Sequence, residues 1–282
     1  MEPREAATVM LLRNRNGSGV EVFMLRRNLT LDFVGGAYVF PGGAVDPHDG
    51  TVAGDASLFA GSDVACSQVL GLPNLGSRFW VAAIRECFEE AGILIASRNG
   101  SVLSFDDAEE RALFDGYRRA LNSKETSFEA ILRAEGLRLE VEGVVYFAHW
   151  ITPEGAPRRY DTRFFVAAAP EHQVGLHDNG ETVANVWIAP GDALERYRAG
   201  DFDLILPTIK NLEALARYPD VASALADART FRDLPAIAPR MLMEDGELRV
   251  LLPGEEGFER ASAAGLQAGA PLPGRPGGPA IS

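Results

Sequence analysis

The stretch from Arg78 to Gly92 constrains the fold most. Trp80, Ile84 and Phe88 recur every four residues with Ala83 and Cys87 beside them, so this is a helix with one apolar stripe turned to a core. Gly92 ends it, because glycine takes the left-handed conformation that closes a helix. Off the stripe, Glu86, Glu89 and Glu90 fall at i, i+3 and i+4, which brings three carboxylates to one edge. Like charges this close oppose one another's ionisation unless a cation or an arginine compensates. Arg85 stands four residues before Glu89, where its planar fork can bond a carboxylate. Hard divalent cations prefer carboxylate oxygen and bridge to phosphates, so the edge suits a metal-phosphate site. Taken alone, Arg-Glu-x-x-Glu-Glu is also a common solvated surface pattern.

Around this helix the chain reads as strands, turns and insertions. Residues 7–12 and 20–26 are apolar runs joined by Asn16-Gly17-Ser18-Gly19, a β-hairpin pattern. Residues 37–40 give another strand, stopped by Pro41-Gly42-Gly43, where missing side chains let backbone approach a metal closely. Residues 44–77 have weak periodicity and read as an insertion holding one short helix at 63–70. Helical periodicity with acidic starts marks a helical insertion over 106–136. Strands at 144–150, 163–168 and 183–188 are rich in β-branched and aromatic residues. Helices are predicted at 190–199, 206–218 and 221–229, and a hairpin at 241–252. The expected organisation is a main domain over 6–190, a helical extension with the hairpin over 191–255 packed on the same domain, and a Gly/Pro-rich, disordered tail over 256–282.

Composition narrows the partners. A formal charge of −13 with no large Lys/Arg cluster repels a polyanion, so nucleic acid is excluded as a stable partner, whereas a small phosphate compound is acceptable once a metal screens the repulsion. No apolar stretch is long enough to span a bilayer, and the acidic start Met-Glu-Pro-Arg-Glu is unlike a secretory signal, so no membrane partner is expected. Cys66 and Cys87 lack the spacing of a disulfide framework or a zinc site and read as reduced, which points to the cytoplasm.

Together these residues resemble the Nudix box, Gly-x5-Glu-x7-Arg-Glu-U-x-Glu-Glu-x-Gly-U, with U a bulky apolar residue. The second half is matched by residues 85–93, with Cys87 a smaller apolar choice at U. The first half has Gly43, but Asp49 stands where glutamate is expected, and 35 residues separate it from Arg85. An interrupted box of this kind is similar to the branch that includes the peroxisomal coenzyme A diphosphatases. Further resemblance lies in Met24-Leu25-Arg26-Arg27, residues 36–43, Trp150-Ile151-Thr152-Pro153, residues 159–165 and Leu206-Pro207-Thr208, so it covers most of residues 6–255.

The resemblance implies an α/β (α+β) Nudix fold, a mixed sheet sandwiched between helices, and attack of water on a diphosphate with Mg²⁺ or Mn²⁺. By position, Glu89 and Glu90 would be metal ligands, Glu86 a ligand or a base near the metals, Gly42 a carbonyl ligand, and Arg85 the residue that orients the acids. Some Nudix enzymes take their base from outside the box; Glu181, in Asp178-Asn179-Gly180-Glu181, is the candidate, or else a plain turn acid. Arg26 and Arg27 are candidates for phosphate, or edge-strand surface residues. In the stretch 158–163, Arg159 and Arg163 are candidate substrate contacts, or a polar strand border. His149 reads as a satisfied strand residue.

The separate coenzyme A signature of some relatives is not met, since Asp32 stands where it has arginine. Branch resemblance alone implies coenzyme A or its acyl thioesters as substrate. The same metal site would also serve ADP-ribose, NADH or a nucleotide sugar. A nucleotide-sensing domain without catalysis is a third reading, which the intact Arg85, Glu86, Glu89 and Glu90 oppose. The helical additions are expected to shape the pocket or to form a homodimer surface.

Overall fold

Alternation along the first strand sets the layers. In β1 (Arg4–Asn14), Ala7, Val9 and Leu11 enter one core and Met10 and Leu12 the other, and all five are buried, so both faces of the sheet are covered. The computed structural model describes residues 2–29, 35–178, 180–244 and 247–261. Asp32, Asn179, Asp245, Gly246 and residues 262–282 lie outside the described residues.

After β1 come β2 (Val20–Arg27), β3 (Tyr38–Val39), β4 (Gly42–Ala44), α1 (Pro47–Gly54), α2 (Asp63–Leu70) and α3 (Ser77–Ala91). Next are β5 (Ala96–Arg98), β6 (Ser101–Val102), α4 (Ala108–Asn122), α5 (Phe128–Ala134), β7 (Leu137–Leu139), β8 (Val144–Ile151), β9 (Tyr160–Ala168) and β10 (Thr182–Ile188). The chain continues through α6 (Pro190–Ala199), α7 (Leu206–Leu215), α8 (Val221–Ala228), β11 (Arg240–Glu244) and β12 (Glu247–Leu251).

The main sheet has the order β10-β2-β1-β9-β8, with β3 on β2 and β4 on β1. Among the described residues of this sheet only the β1 and β9 pair is parallel, so the sheet is mixed. On one face α3 packs through Trp80, Ile84 and Phe88, joined by apolar residues of α1, α2, α4 and α5. On the other face lie Leu194, Leu212 and Ala224 from α6, α7 and α8, with Met241 and Val250 of the hairpin. This is the mixed sheet between helices that the resemblance implied. No helix among the described residues is long and apolar enough to cross a membrane.

The structure departs from the sequence reading in several places, among them the end of α7 at Leu215 rather than 218 and a strand, β4, where a turn was expected. Segment 44–77 holds two helices: besides α2 it contains α1, with Asp46 as N-cap, Pro47 in the first turn and Asp49 closing a capping box. Its apolar positions are too few to show a stripe, while its cap residues carry the signal. A second, three-stranded sheet, β6-β5-β7, brackets the helical insertion. Strand β9 begins at Tyr160 rather than 163, because its parallel pairing with β1 extends to Arg4. Residues 256–261 pack rather than trail away: Phe258 lies 4.3 Å beneath the Arg240 guanidinium, and Ala261 is buried.

Candidate active site

Two glycines let the sheet meet α3. Strand β4 pairs antiparallel with β1, opposing Gly42 to Thr8 and Gly43 to Ala7. A Cβ on Gly42 would stand 2.6 Å from the Ala7 carbonyl oxygen, so the main chain demands glycine there, and a Cβ on Gly43, 2.5 Å from the carboxyl carbon of Glu86, would push that carboxylate aside. The Gly42 N–H donates to Glu90 Oε2 at 3.0 Å. Backbone and carboxylates are therefore in direct contact.

Arg85 ties the acids together. Its Nε and Nη2 donate to Asp49 Oδ1 and Oδ2 at 2.8 and 3.0 Å, a fork-on-fork pair. Nη1 donates to Glu86 Oε1 at 2.8 Å and Glu89 Oε1 at 3.1 Å, and Nη2 also reaches the Ala44 carbonyl at 3.0 Å. A guanidinium has five N–H donors, and these five bonds use all of them. Asp49 is 1% exposed, so the acid in the glutamate position of the box binds Arg85 from the buried side.

Electrostatics leave the cluster short of positive charge. Burial works against the Arg85 charge, but the bonds from Asp49 and the fields of Glu86, Asp49 and Glu89 hold its pKa above the ordinary value. Burial pushes the Glu86 carboxyl up to about 7, against the pull of Arg85. Burial likewise raises Glu89, and it raises Glu90 well above the ordinary value, with Glu86 adding repulsion. Three carboxylates share the Arg85 guanidinium, Glu90 lies beside them on the Gly42 N–H, and all these ligand atoms are oxygen, the chemistry a hard divalent cation prefers. As they stand, no three His, Cys, Asp or Glu side chains among the described residues are grouped to hold a cation. The donor set therefore fits a cation in kind, and Glu86 and Glu89 are engaged by Arg85 instead.

A cavity of about 390 Å³ opens on this edge, and Gly42, Gly43, Glu86, Glu90, Arg27 and Glu181 line it. Arg27 reaches within 4.0 Å of Glu181, and its Nε is buried with no hydrogen-bond partner among the described residues. Away from the acids the wall turns apolar, with Trp150, Leu206, Met241 and Val250. Arg85 and Glu89 stand behind this wall, joined to it through Glu86.

The other expected substrate contacts lie elsewhere. Arg26 donates to the Gly36 carbonyl at 3.3 Å and sits over the Tyr38 ring, outside the cavity lining. Arg159 donates to the Thr152 carbonyl at 3.1 Å and lines a neighbouring hollow with Glu154 and Ala238. Arg163 is buried against Phe79, 4.9 Å from its ring centre, and bonds Asp161, on the opposite face of the sheet. Strand alternation is the reason: Tyr160, Thr162 and Phe164 face the cavity, so Arg163 must face away. Arg158 and Tyr160 line the cavity in place of Arg159 and Arg163. Counting by twos from Phe164 would have singled out Tyr160. His149 bonds Asp161 and is a satisfied strand residue, as the sequence suggested.

The chain is similar to known proteins in sequence and in fold. The family described as the NUDT19 Nudix domain matches residues 55–215, a span that runs from the box insertion to the end of α7. The acyl-coenzyme A diphosphatase NUDT19 of Gallus gallus is 28% identical over 305 residues, covering 90% of this chain and 79% of that protein. Its namesake from Homo sapiens is 24% identical over 84% of this chain and 72% of that protein. The crystal structure of a NUDIX hydrolase from Alicyclobacillus acidocaldarius superposes with a TM-score of 0.65 at 28% identity, covering 80% of this chain and 96% of that one. The chain belongs to the family of the NUDT19 Nudix domain and is a Nudix diphosphatase, a hydrolase.

Proposed function

We propose that the chain is a divalent-metal-dependent diphosphatase that hydrolyses coenzyme A or its acyl thioesters. One observation carries the metal dependence: Glu86 and Glu90 line a cavity beside Gly42 and Gly43, in a cluster where the Arg85 guanidinium is shared among three carboxylates, Asp49, Glu86 and Glu89. The substrate class rests on the acyl-coenzyme A diphosphatases named above and on the apolar end of the same cavity, which suits a thioester arm.

Glu86, Glu89, Glu90 and the Gly42 carbonyl would hold Mg²⁺ or Mn²⁺. Such a cation, when bound, lowers the pKa of a water and neutralises charge on phosphoryl oxygens. Arg85 keeps Glu86 and Glu89 in register, and Asp49 keeps Arg85 in place. Arg27 offers its guanidinium to the diphosphate, and Glu181 across from it is the candidate base for the attacking water. The water oxygen bonds to phosphorus and the bridging P–O bond breaks, giving a 3′,5′-bisphosphate nucleotide and a phosphopantetheine product. Arg158 and Tyr160 take over the substrate contacts first assigned to Arg159 and Arg163. The two buried free cysteines suit a reducing compartment such as the cytoplasm.

A panel of coenzyme A, acetyl-CoA, NADH, ADP-ribose and nucleotide sugars, each with Mg²⁺ or Mn²⁺, tests the reading. Coenzyme A or its thioester is expected to turn over fastest, and Glu90→Gln to lower that turnover by orders of magnitude with the fold intact. Faster turnover of another member replaces the substrate assignment. Silence across the panel with ligand binding retained replaces catalysis with sensing.

A further inference from the structure

The last turn of α3 is held by a residue from outside the box. A helix leaves its final carbonyls without intrahelical partners. Here Arg118, on α4, donates Nε to the Glu89 carbonyl at 2.9 Å and Nη2 to the Glu90 carbonyl at 2.6 Å. Asn122, one turn further along α4, donates Nδ2 to the Glu89 carbonyl at 3.2 Å. Two side chains of the helical insertion thus grip the main chain of two adjacent glutamates.

The surroundings make this grip specific. Arg118 is 9% exposed although it is an arginine, and both its bonds go to main-chain oxygen rather than to a carboxylate. Gly92 ends α3 at φ +70°, and a Cβ there would stand 3.1 Å from Arg118 Nη1. One glycine therefore both closes the helix and clears the path of the guanidinium. Phe88 of α3 meets Phe114 and Phe128 of the insertion at centroid distances of 6.3 and 6.4 Å, which locks α4 against α3. A positive charge at a helix C-terminus is also favoured by the aligned peptide dipoles.

We propose that Arg118 is a positioning residue: by fixing the carbonyls of Glu89 and Glu90 it sets where their carboxylates meet a divalent cation, and this is what the helical insertion contributes to catalysis. The proposal rests on the reading of Glu89 and Glu90 as metal ligands. Supporting groups behind metal ligands affect metal affinity or activity by about tenfold or more. A cap that served stability alone would leave the affinity of the folded protein unchanged.

The test uses the full chain with Mn²⁺ alone as probe, free Mn²⁺ being followed by electron paramagnetic resonance, with turnover and thermal melting in parallel. Arg118→Met is expected to weaken Mn²⁺ binding about tenfold or more while circular dichroism still reports a folded protein. Arg118→Lys is expected to recover part of that loss, since an ammonium can serve one carbonyl where the fork serves two. Asn122→Ala is expected to weaken binding about threefold, the worth of one shared hydrogen bond. Wild-type Mn²⁺ affinity in folded Arg118→Met, even with a lowered melting temperature, overturns the proposal. Should that variant fail to fold, wild-type affinity in both Arg118→Lys and Asn122→Ala overturns it instead. Glu90→Gln separates the two levels: if it binds Mn²⁺ as tightly as wild type, the ligand assignment itself falls. A weakened Glu90→Gln beside an unchanged Arg118→Met removes the positioning role alone.

Discussion

Segments 44–77 and 106–136 are both additions around α3, and they take hold of its opposite ends with opposite charge. From α2, Asp63 accepts the Leu75 and Ser77 N–H groups at 2.9 and 3.0 Å and the Ser77 hydroxyl at 2.6 Å. From α4, Arg118 serves the carbonyls at the other end. An anion suits the exposed N–H groups of a helix start and a cation the carbonyls of its end, so each insertion matches the end it meets. Ala44 apart, neither segment lines the cavity, and both act on it through α3. The first segment adds a polar fastening on a side chain, Asp49 on Arg85, and the second an aromatic one, Phe114 and Phe128 on Phe88.

The comparison breaks most visibly at Arg85. Arg85→Ala leaves Asp49 buried without its guanidinium and removes the two Nη1 bonds that join the side chains of Glu86 and Glu89. Removing one partner of a buried pair costs about 3–5 kcal/mol, so urea unfolding is expected to show a loss of that order together with a collapse in turnover. A loss below about 1 kcal/mol, the range of a surface pair, would mean that Asp49 is not a fastening at all.

Next comes the aromatic side. Phe114 is 2% exposed, stacks on Phe105 at 4.9 Å and meets Phe88 edge-on. Phe114→Ala is expected to cost about 3 kcal/mol through the cavity it leaves. Its turnover per folded molecule should fall less than that of Arg85→Ala, because no bond to a carboxylate is lost. Equal losses of turnover would erase the distinction between the two fastenings.

How much of this the sequence disclosed depends on the range of the interaction. The four-residue stripe of Trp80, Ile84 and Phe88 is local, and so are Glu86, Glu89 and Glu90 on one edge; both were legible, as were the bounds of α2. The role of Asp49 was not, because it is fixed by a contact 36 residues away and by a capping box that apolar periodicity does not reveal. Arg163 was assigned by residue type when strand parity should have decided, since one step along β9 exchanges the cavity for the core behind it. Arg118 had no signal at all. Its partners are carbonyls, which every residue owns, and only the packing of α4 on α3 selects Glu89 and Glu90.

The smallest expected effect is the most discriminating between the two insertions. Asp63→Ala removes the cap from the start of α3, a loss of about 1 kcal/mol, far from the glutamates. Mn²⁺ affinity and turnover per folded molecule should stay at wild-type values, in contrast to Arg118→Met. The loss should also depend on pH. Burial raises the Asp63 carboxyl, but the bonds from Ser77 and Leu75 outweigh it and hold the pKa below the ordinary 3.8. A group depressed in the folded state gives its full stabilisation above its unfolded pKa and loses it as pH falls through the folded one. Urea midpoints of wild type and Asp63→Ala should therefore differ at pH 7 and converge as the pH falls below the ordinary carboxylate range and through the depressed pKa. A gap that persists in acid would assign the effect to packing around α2 rather than to the charge that faces the helix.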